Sequence, residues 1–481
     1  MPGRQTRAST HRLPGRDVSS APQPVPARED LPRADGALPN FMHASQIHPK
    51  LTAVFNELDD ADIVWCLLRG EDSPLALGGD VDLLVAASDF SLIHALVERM
   101  GFARIPAWGH GSHAFFLTYE PATDVWIKLD VVTELAFGPG FVLPTHTESE
   151  CLARRERAAG VPVLCDQDAA WALLLHRLID ERASIRSIDP GRLADLASRA
   201  AGDGPLARFV DSVSPSAWSS TRIIEQARLG NSEALADLGQ QLTASWRRQR
   251  RREVRRREFV NRMWRWSGKW LALRWRRGLG VALLGLDGAG KSTLASGIEQ
   301  TFYFPSRSVY MGLHQQPSRQ GATIPGLGLA ARLSTQWTRW LRAAYHQRRG
   351  RLVLFDRYTH DARIPGRAGR SLRTRAYRWL LAHACPPPDL SLLLDTPSEM
   401  LLRRKPGHDL PVLERERHAW GELVPRLRGG VVIDASRDAE ALRREATAII
   451  WRGYARRWKT WTGREHRVRE KDRRKPIRGE G

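Results

Sequence analysis

Four short runs in the first half of the chain, IVWCLL, VDLLVA, AFFLTY and VWIKLDVV, are apolar or alternate apolar with polar residues. Alternate residues of a strand point to opposite faces, so these runs predict strands between about 41 and 200. SLIHALVERM and AAWALLLHRLIDERA repeat their apolar residues at helical spacing, and the pattern stays mostly helical to about 243. In the second half GVALLGL, RLVLFD, DLSLLLD and GVVIDA are apolar nearly throughout, with helical stretches between them. Strands buried on both faces and separated by helices predict a parallel sheet over 279–455. The expected fold class is therefore α/β for the second half, with an α+β unit before it.

Composition changes the picture at three places. Residues 1–40 carry PGR and APQPVP, lack periodicity and read as a disordered leader; without an apolar core they are not a secretory signal. The net charge of the 481 residues is +21, but it is concentrated: 244–278 carries +12 and 452–481 carries +8. Outside these two stretches the charges sum close to neutral, and a linker (244–278) and a tail (456–481) are basic. Four cysteines without paired or metal-ligand spacing fit a reducing cytoplasmic setting. No apolar run reaches the roughly eighteen residues of a membrane span.

The chemistry concentrates at GLDGAGKST, residues 285–293, which follows the strand ending at Leu284 and precedes a helical run. Strand, G-x-x-x-x-G-K-S and helix together form the P-loop arrangement of a nucleoside triphosphatase fold. Gly285, Gly288 and Gly290 let main-chain amides close round phosphate oxygens; Asp287, Ala289 and Thr293 complete the loop. Lys291 can reach the β- and γ-phosphates, and Ser292 can ligate Mg²⁺. The strand RLVLFD ends in Asp356, an acid suited to hold Mg²⁺ near the loop, and Arg357 can grip a second phosphate. Read alone, Asp356–Arg357 also fits an ordinary ion pair at a strand end.

Taken in order, GLDGAGKST, FDRY, PPPDLSLLLDTPSEMLLRRK and VVIDAS resemble the thymidylate kinase family over about 279–455. The resemblance implies ATP and Mg²⁺ at Lys291 and Ser292, Asp287 near the acceptor sugar, and Asp356 and Arg357 at the metal and the acceptor phosphate. Arg403, Arg404 and Lys405 stand where that family has its basic lid. Some members carry an arginine directly after the loop acid, where this chain has Gly288. Phosphoryl transfer spreads negative charge over the equatorial oxygens, so Arg403 or Arg404 is expected to supply the missing cation. LLRRK also reads simply as the polar end of an exposed helix. The Ser-rich A-Y-Q stretch of thymidylate-using members is replaced by THDARIPGRAGRSLRTRAYRW. Arg363, Arg367 and Arg370 there suit an anionic acceptor of other kinds as well as a nucleotide, and Arg332 is a candidate for the acceptor base. Relatives commonly dimerise through helices, so a homodimer is expected.

In the first half, CLLRGEDSPLALGGDVDLLVAA places Asp80 and Asp82 two apart at a strand start, and Asp130 lies in VWIKLDVV. Carboxylates on neighbouring strands can hold two Mg²⁺ ions for attack on a nucleotide phosphate. Residues 60–135 resemble the polymerase β type of nucleotidyltransferase, which makes 41–243 a nucleotidyltransferase-like domain with a helical extension. The family's Gly-Ser turn is Gly70-Glu71 here, which adds a negative charge where phosphate would lie. The acids equally suit a solvated turn. His110 and His113 have metal-like spacing but read as loop residues.

Five tryptophans interleave with arginine over 244–278. Phe259, Met263, Trp266, Trp270 and Leu273 share one helical face and Val260, Trp264, Leu271 and Trp275 an adjoining one, predicting a wide apolar side opposite arginine. Such a helix can pack on the second domain as a connector, lie on an anionic membrane surface, or bind nucleic acid; 452–481, with Trp458 and Trp461, can join any of these. The leading expectation is a kinase passing the ATP γ-phosphoryl group to an anionic acceptor, cytoplasmic or peripheral at the membrane. A protein with added nucleotidyl transfer and a non-catalytic ATP-binding scaffold are the alternatives.

Overall fold

The computed structural model describes residues 47–68, 79–106, 110–180, 189–200, 202–274, 277–312, 327–364, 372–404 and 409–473. The expected leader, the Gly70-Glu71 turn, Arg367, Arg370 and Lys405 lie outside them, as do the side chains of 268–276 and 460–473.

The first lobe is a seven-stranded mixed sheet in the order β3-β4-β5-β2-β1-β9-β8. Its strands are β1 (Trp65–Leu67), β2 (Gly79–Val85), β3 (Ala103–Arg104), β4 (His113–Glu120), β5 (Val125–Val132), β8 (Glu156–Ala158) and β9 (Val161–Val163). β6 (Ala136–Phe137) and β7 (Leu143–Pro144) form a separate ribbon. Period-two alternation sorts the two faces. Val81, Leu83 and Val85 of β2 and Ile127, Leu129 and Val131 of β5 pack with the helices Pro49–Asp60 and Phe90–Arg99. The other face carries Asp80, Asp82 and Leu84 of β2 beside Trp126, Lys128 and Asp130 of β5, the strands being parallel with Asp80 opposite Lys128 and Asp82 opposite Asp130. Beyond β9 a helical bundle packs round Trp171, Leu174, Leu178 and Trp246, which are wholly buried.

The second lobe is a five-stranded sheet in the order β11-β12-β10-β13-β14, parallel at every pairing. Its strands are β10 (Gly280–Leu284), β11 (Ser306–Tyr310), β12 (Leu352–Asp356), β13 (Leu390–Asp395) and β14 (Gly430–Asp434). β10 is central and buried at all five residues, as its uninterrupted apolar run requires.

The two lobes share one core. Ala103, Leu117 and Tyr119 of the first belong to the same buried cluster as β10, β12 and β13. Trp126 meets Phe302, Tyr303 and Trp451 with ring centroids 5.2, 5.8 and 5.3 Å away, and its Nε1 donates to the Thr301 carbonyl at 3.1 Å. Arg443, 4% exposed, pairs with Asp124 and donates to Thr301 Oγ1 at 2.9 Å, while Tyr119 donates to Asp124 at 2.6 Å. Burial works against the Asp124 carboxylate, but Arg443 and Tyr119 outweigh it and hold its pKa below the usual range.

Two expectations change here. The basic linker is not one helix but parts of two, Ser232–Gln249 and Arg251–Arg274, broken at Arg250, and Trp246 belongs to the bundle core. Of the wide apolar side's positions with described side chains, Phe259, Val260, Met263 and Trp266 are exposed and Trp264 is half-buried, while the lobe offers polar groups to the opposite side of the helix. The boundary expected at 455/456 falls inside one helix, Ala439–Arg473, and Trp458 is buried against Phe304 and Tyr454 instead of lying in a polar tail.

Trp126→Ala should remove the main aromatic contact between the lobes and cost about 3 kcal/mol. Denaturant unfolding followed by tryptophan fluorescence should change from one transition toward two; an unchanged midpoint would show that the lobes do not depend on this contact.

Candidate active site

β10 runs into Gly285, and the chain turns through Gly285 (φ 136°), Gly288 (φ 89°) and Gly290 (φ 89°) before the helix Lys291–Thr301 begins. These are left-handed conformations that a Cβ would strain, and a Cβ on Gly285 would also meet the Leu394 carbonyl at 2.9 Å. The helix starts at Gly290 with no side-chain cap, so its first amides face the loop. Lys291 is 7% exposed, and its Nζ donates to the carbonyls of Gly285 at 3.0 Å and Leu286 at 2.8 Å. Burial, followed by the nearby Arg357, lowers the Lys291 pKa; Asp287, Asp356 and Asp361 offset this in part. Ser292 and Thr293 are exposed at the helix start, and Ala289 is buried beneath the loop.

Asp356 ends β12 opposite Leu283 of β10, at the carboxyl edge of the sheet where ligands of open parallel sheets bind. Arg357 follows with φ 63°, a left-handed conformation uncommon for any residue that carries a Cβ, and its amide donates to the Leu283 carbonyl at 3.3 Å. Its guanidinium pairs with Asp287 and lies 3.6 Å from Asp361. Burial opposes its charge, but Asp361 and Asp287 outweigh that and raise its pKa. Arg404 Nη1 donates to the Gly288 carbonyl at 3.1 Å, which brings the second lid arginine to the loop; Arg403 is exposed on the same helix, Ser398–Arg404. Arg363 instead meets His383 Nε2 at 3.0 Å, and Arg332 reaches the Tyr377 hydroxyl at 3.0 Å.

Two groups escaped the sequence reading. Arg417, on the helix Leu410–Leu423, grips Asp395 at the end of β13 with bonds of 2.5 and 2.7 Å, which raise its pKa despite the opposing effect of burial. The acid closing DLSLLLD was its only signal. Tyr310 ends β11 beside Arg357, with Arg339 5.3 Å above its ring and the buried Gln336 on the same helix, Leu327–Arg348. Tyr310 and Arg339 lie on the β11–β12 side of the loop, and Arg417 and Asp395 on the β13 side.

In the first lobe the expected carboxylates are near neighbours, and Asp80 and Asp130 are engaged by Lys128 and His113. Lys128 Nζ lies 2.6 Å from Asp80, and Asp130 accepts from His113 Nδ1 at 3.0 Å. Burial disfavours the Lys128 charge, yet Asp80 more than compensates and its pKa is raised. His113 stacks on Phe141 at 3.6 Å, and His110 packs edge-on to Phe115. Among the described residues no group of three or more His, Cys, Asp or Glu is arranged to hold a metal, and the four cysteines are free and buried.

A buried central strand, a left-handed glycine loop and a helix start open to an anion define a P-loop nucleotide-binding fold. The comparisons with known proteins agree with that class. No family model matches the chain. It is similar to the thymidylate kinases of Xanthomonas euvesicatoria pv. vesicatoria strain 85-10 (32% identity over 193 residues) and X. campestris pv. campestris strain B100 (32% over 195). It is also similar to that of X. oryzae pv. oryzae strain PXO99A (31% over 192). Each match covers 36% of this chain and 83% of the relative. Over that third of its length the chain belongs to the thymidylate kinase family. A solved thymidylate kinase from Candida albicans is 17% identical, with a TM-score of 0.30, and the match covers 35% of this chain and 89% of that one.

His360, in the turn Thr359–Arg363 behind Arg357, is 4% exposed and neither ring nitrogen has a hydrogen-bond partner. Burial, with Arg363 and His383 adding to it, pushes its pKa from 6.5 to about 4. The unfolded chain takes up this proton near pH 6.5 and the folded one only near 4, so stability should rise with pH across that window and be lost on acidification through it. The loss should be about 3 kcal/mol, and His360→Leu should flatten it in urea unfolding measured from pH 7 to 4. An equal slope in the variant would assign the acid lability elsewhere.

Proposed function

We propose that the second lobe is an ATP-dependent kinase that passes the γ-phosphoryl group to a nucleoside monophosphate. The observation that carries this reading is the meeting of Arg357 and Asp287 at the mouth of the Lys291 loop. One group there suits an acceptor phosphate and the other an acceptor hydroxyl, both beside the donor loop. The uncapped helix start and the three left-handed glycines fit a triphosphate, and Ser292 and Asp356 fit Mg²⁺. The metal, when bound, would neutralise phosphate charge. The chain's own groups do the rest. Lys291 holds the loop in shape through the Gly285 and Leu286 carbonyls and stands ready to exchange those bonds for phosphate oxygens. Arg404 reaches the loop from the lid, where Gly288 leaves no arginine of the loop's own, and is proposed to stabilise the charge of the transferring group. Closing the lid would exclude water.

Thymidylate is the acceptor named in the relatives, and for this chain it is the first compound to try. The basic segment after Asp361 and the Tyr310–Arg339 pair leave room for another anionic acceptor. On the helix Leu327–Arg348, Trp337, Leu341 and Tyr345 form an exposed stripe that suits a homodimer.

Purified protein with Mg·ATP and a panel of nucleoside monophosphates should yield diphosphates, with thymidylate tested beside phosphorylated sugars. Lys291→Ala should lower kcat by about a thousandfold and Arg404→Ala by about a hundredfold with a smaller change in KM for ATP. A panel without any ATP consumption would reject the kinase reading in favour of a scaffold, and full activity in Lys291→Ala would take this loop out of the reaction.

The register that sets Asp82 against Asp130 favours nucleotidyl transfer in the first lobe as a second reading. Label from an α-phosphate-labelled nucleotide should then enter product and vanish in Asp80→Ala. Equal labelling in that variant would dismiss the reading.

A further inference from the structure

The helix Arg251–Arg274 has two unlike sides over its described side chains. One side docks on the first lobe. Val254 and Asn261 are 3% and 6% exposed, Asn261 Nδ2 donates to the Gly140 carbonyl at 2.7 Å, and Arg257 meets Glu134 at 2.7 Å and Glu253 at 3.1 Å. At about 100° per residue, the opposite side carries Phe259, Met263 and Trp266 in one line. They are 63%, 46% and 58% exposed. Arg252 extends this line two turns earlier, Arg256 flanks it on one side and Arg255 and Arg262 on the other, all exposed. Both carboxylates of the segment turn away from it: Glu253 is held by His146 and Arg257, and Glu258 by Arg247 at 3.1 Å. The outer face is therefore apolar along its centre and purely cationic at its margins. Beside it opens a cavity of about 480 Å³ whose lining includes Val142, Arg247, Glu258, Arg262, Arg265 and Trp266, with Glu258 neutralised by its pairing with Arg247.

We infer that this face docks on an acidic phospholipid bilayer. Phe259, Met263 and Trp266 enter the boundary between headgroups and acyl chains, the flanking arginines meet headgroup phosphates, and the cavity admits one headgroup against Arg262 and Arg265. The chemistry selects the occupant. A second copy of the chain would set two arginine-bordered stripes against each other, and the like charges would repel. A nucleic acid would satisfy the arginines but leave Phe259 and Met263 against a charged backbone. A bilayer surface alone accepts an apolar line and cations on both of its sides at once. Among the described residues no helix is long and apolar enough to cross a membrane, so this helix lies on the surface.

Sedimentation of the full-length protein with vesicles of phosphatidylcholine, with and without roughly one-third phosphatidylglycerol, tests the inference. Binding to the acidic vesicles should be at least about tenfold tighter than to the neutral ones. The triple variant Phe259→Ser, Met263→Ser, Trp266→Ser should lose about a hundredfold in that binding. Because the three side chains are exposed, its unfolding curve should match the parent's. Arg262→Gln with Arg265→Gln should weaken binding about fivefold per charge removed. The inference is overturned if the triple variant sediments like the parent, or if neutral and acidic vesicles bind alike. It is overturned equally if the substitutions abolish self-association in light scattering, or duplex DNA binding, while leaving vesicle binding intact. The readout is independent of phosphoryl transfer, so it stands or falls apart from the kinase reading.

Discussion

A buried ammonium bonded to two carbonyls of its own loop organises the second lobe. Lys291 sits 7% exposed among the carbonyls of Gly285 and Leu286, in a place that desolvation makes costly for a charge. Those bonds are tolerable because three carboxylates lie near and because the loop backbone, free of side chains at its left-handed turns, can present its oxygens inward. The same geometry turns the helix amides outward. The loop's shape and its appetite for anions thus have one origin, and the buried strand β10 fixes where both occur.

Around that point the cations form a ladder of different freedom. Arg357 is held by Asp287 and Asp361 in a strained backbone conformation, Arg417 is forked onto Asp395, and Arg404 touches only a main-chain carbonyl on the described loop. A charge fixed by two carboxylates serves to position a partner; one held by a single exposed bond can move with it. That division matches the chemistry of phosphoryl transfer, where the acceptor must be oriented before the transferring charge is met.

Much of the second lobe could be read from residues alone because its signals are local. GVALLGL, GKS and FD each state their own structure within a few positions, and the parallel order follows from strands too apolar to face water. The strands of the first lobe were legible for the same reason, and so was the pairing of faces that sets Asp82 beside Asp130. What stayed hidden was long-range. No pattern near Asp80 or Asp130 announces Lys128 or His113 as their partners, and nothing in LERERHAW marks Arg417 rather than Arg415. The orientation of Arg251–Arg274 stayed open for a physical reason: amphipathicity names two sides, but the lobe beneath offers the Glu134 carboxylate and the Gly140 carbonyl, and so took the polar one.

The helix Lys291–Thr301 is gripped at both ends. Its first residues shape the phosphate loop, and its last carbonyl takes the Trp126 indole of the other lobe, about 16 Å away at 1.5 Å per residue. A rod so short does not bend, and the gene therefore cannot be divided at the basic linker without a cost that the linker's own sequence never advertises. Either half expressed alone would bare a wall of aromatic rings, Trp126 and Tyr119 on one fragment, Phe302 and Trp451 on the other. Such fragments would be sticky and poorly soluble, and a catalytic assay run on the severed second half would measure a loop whose far anchor had been cut away.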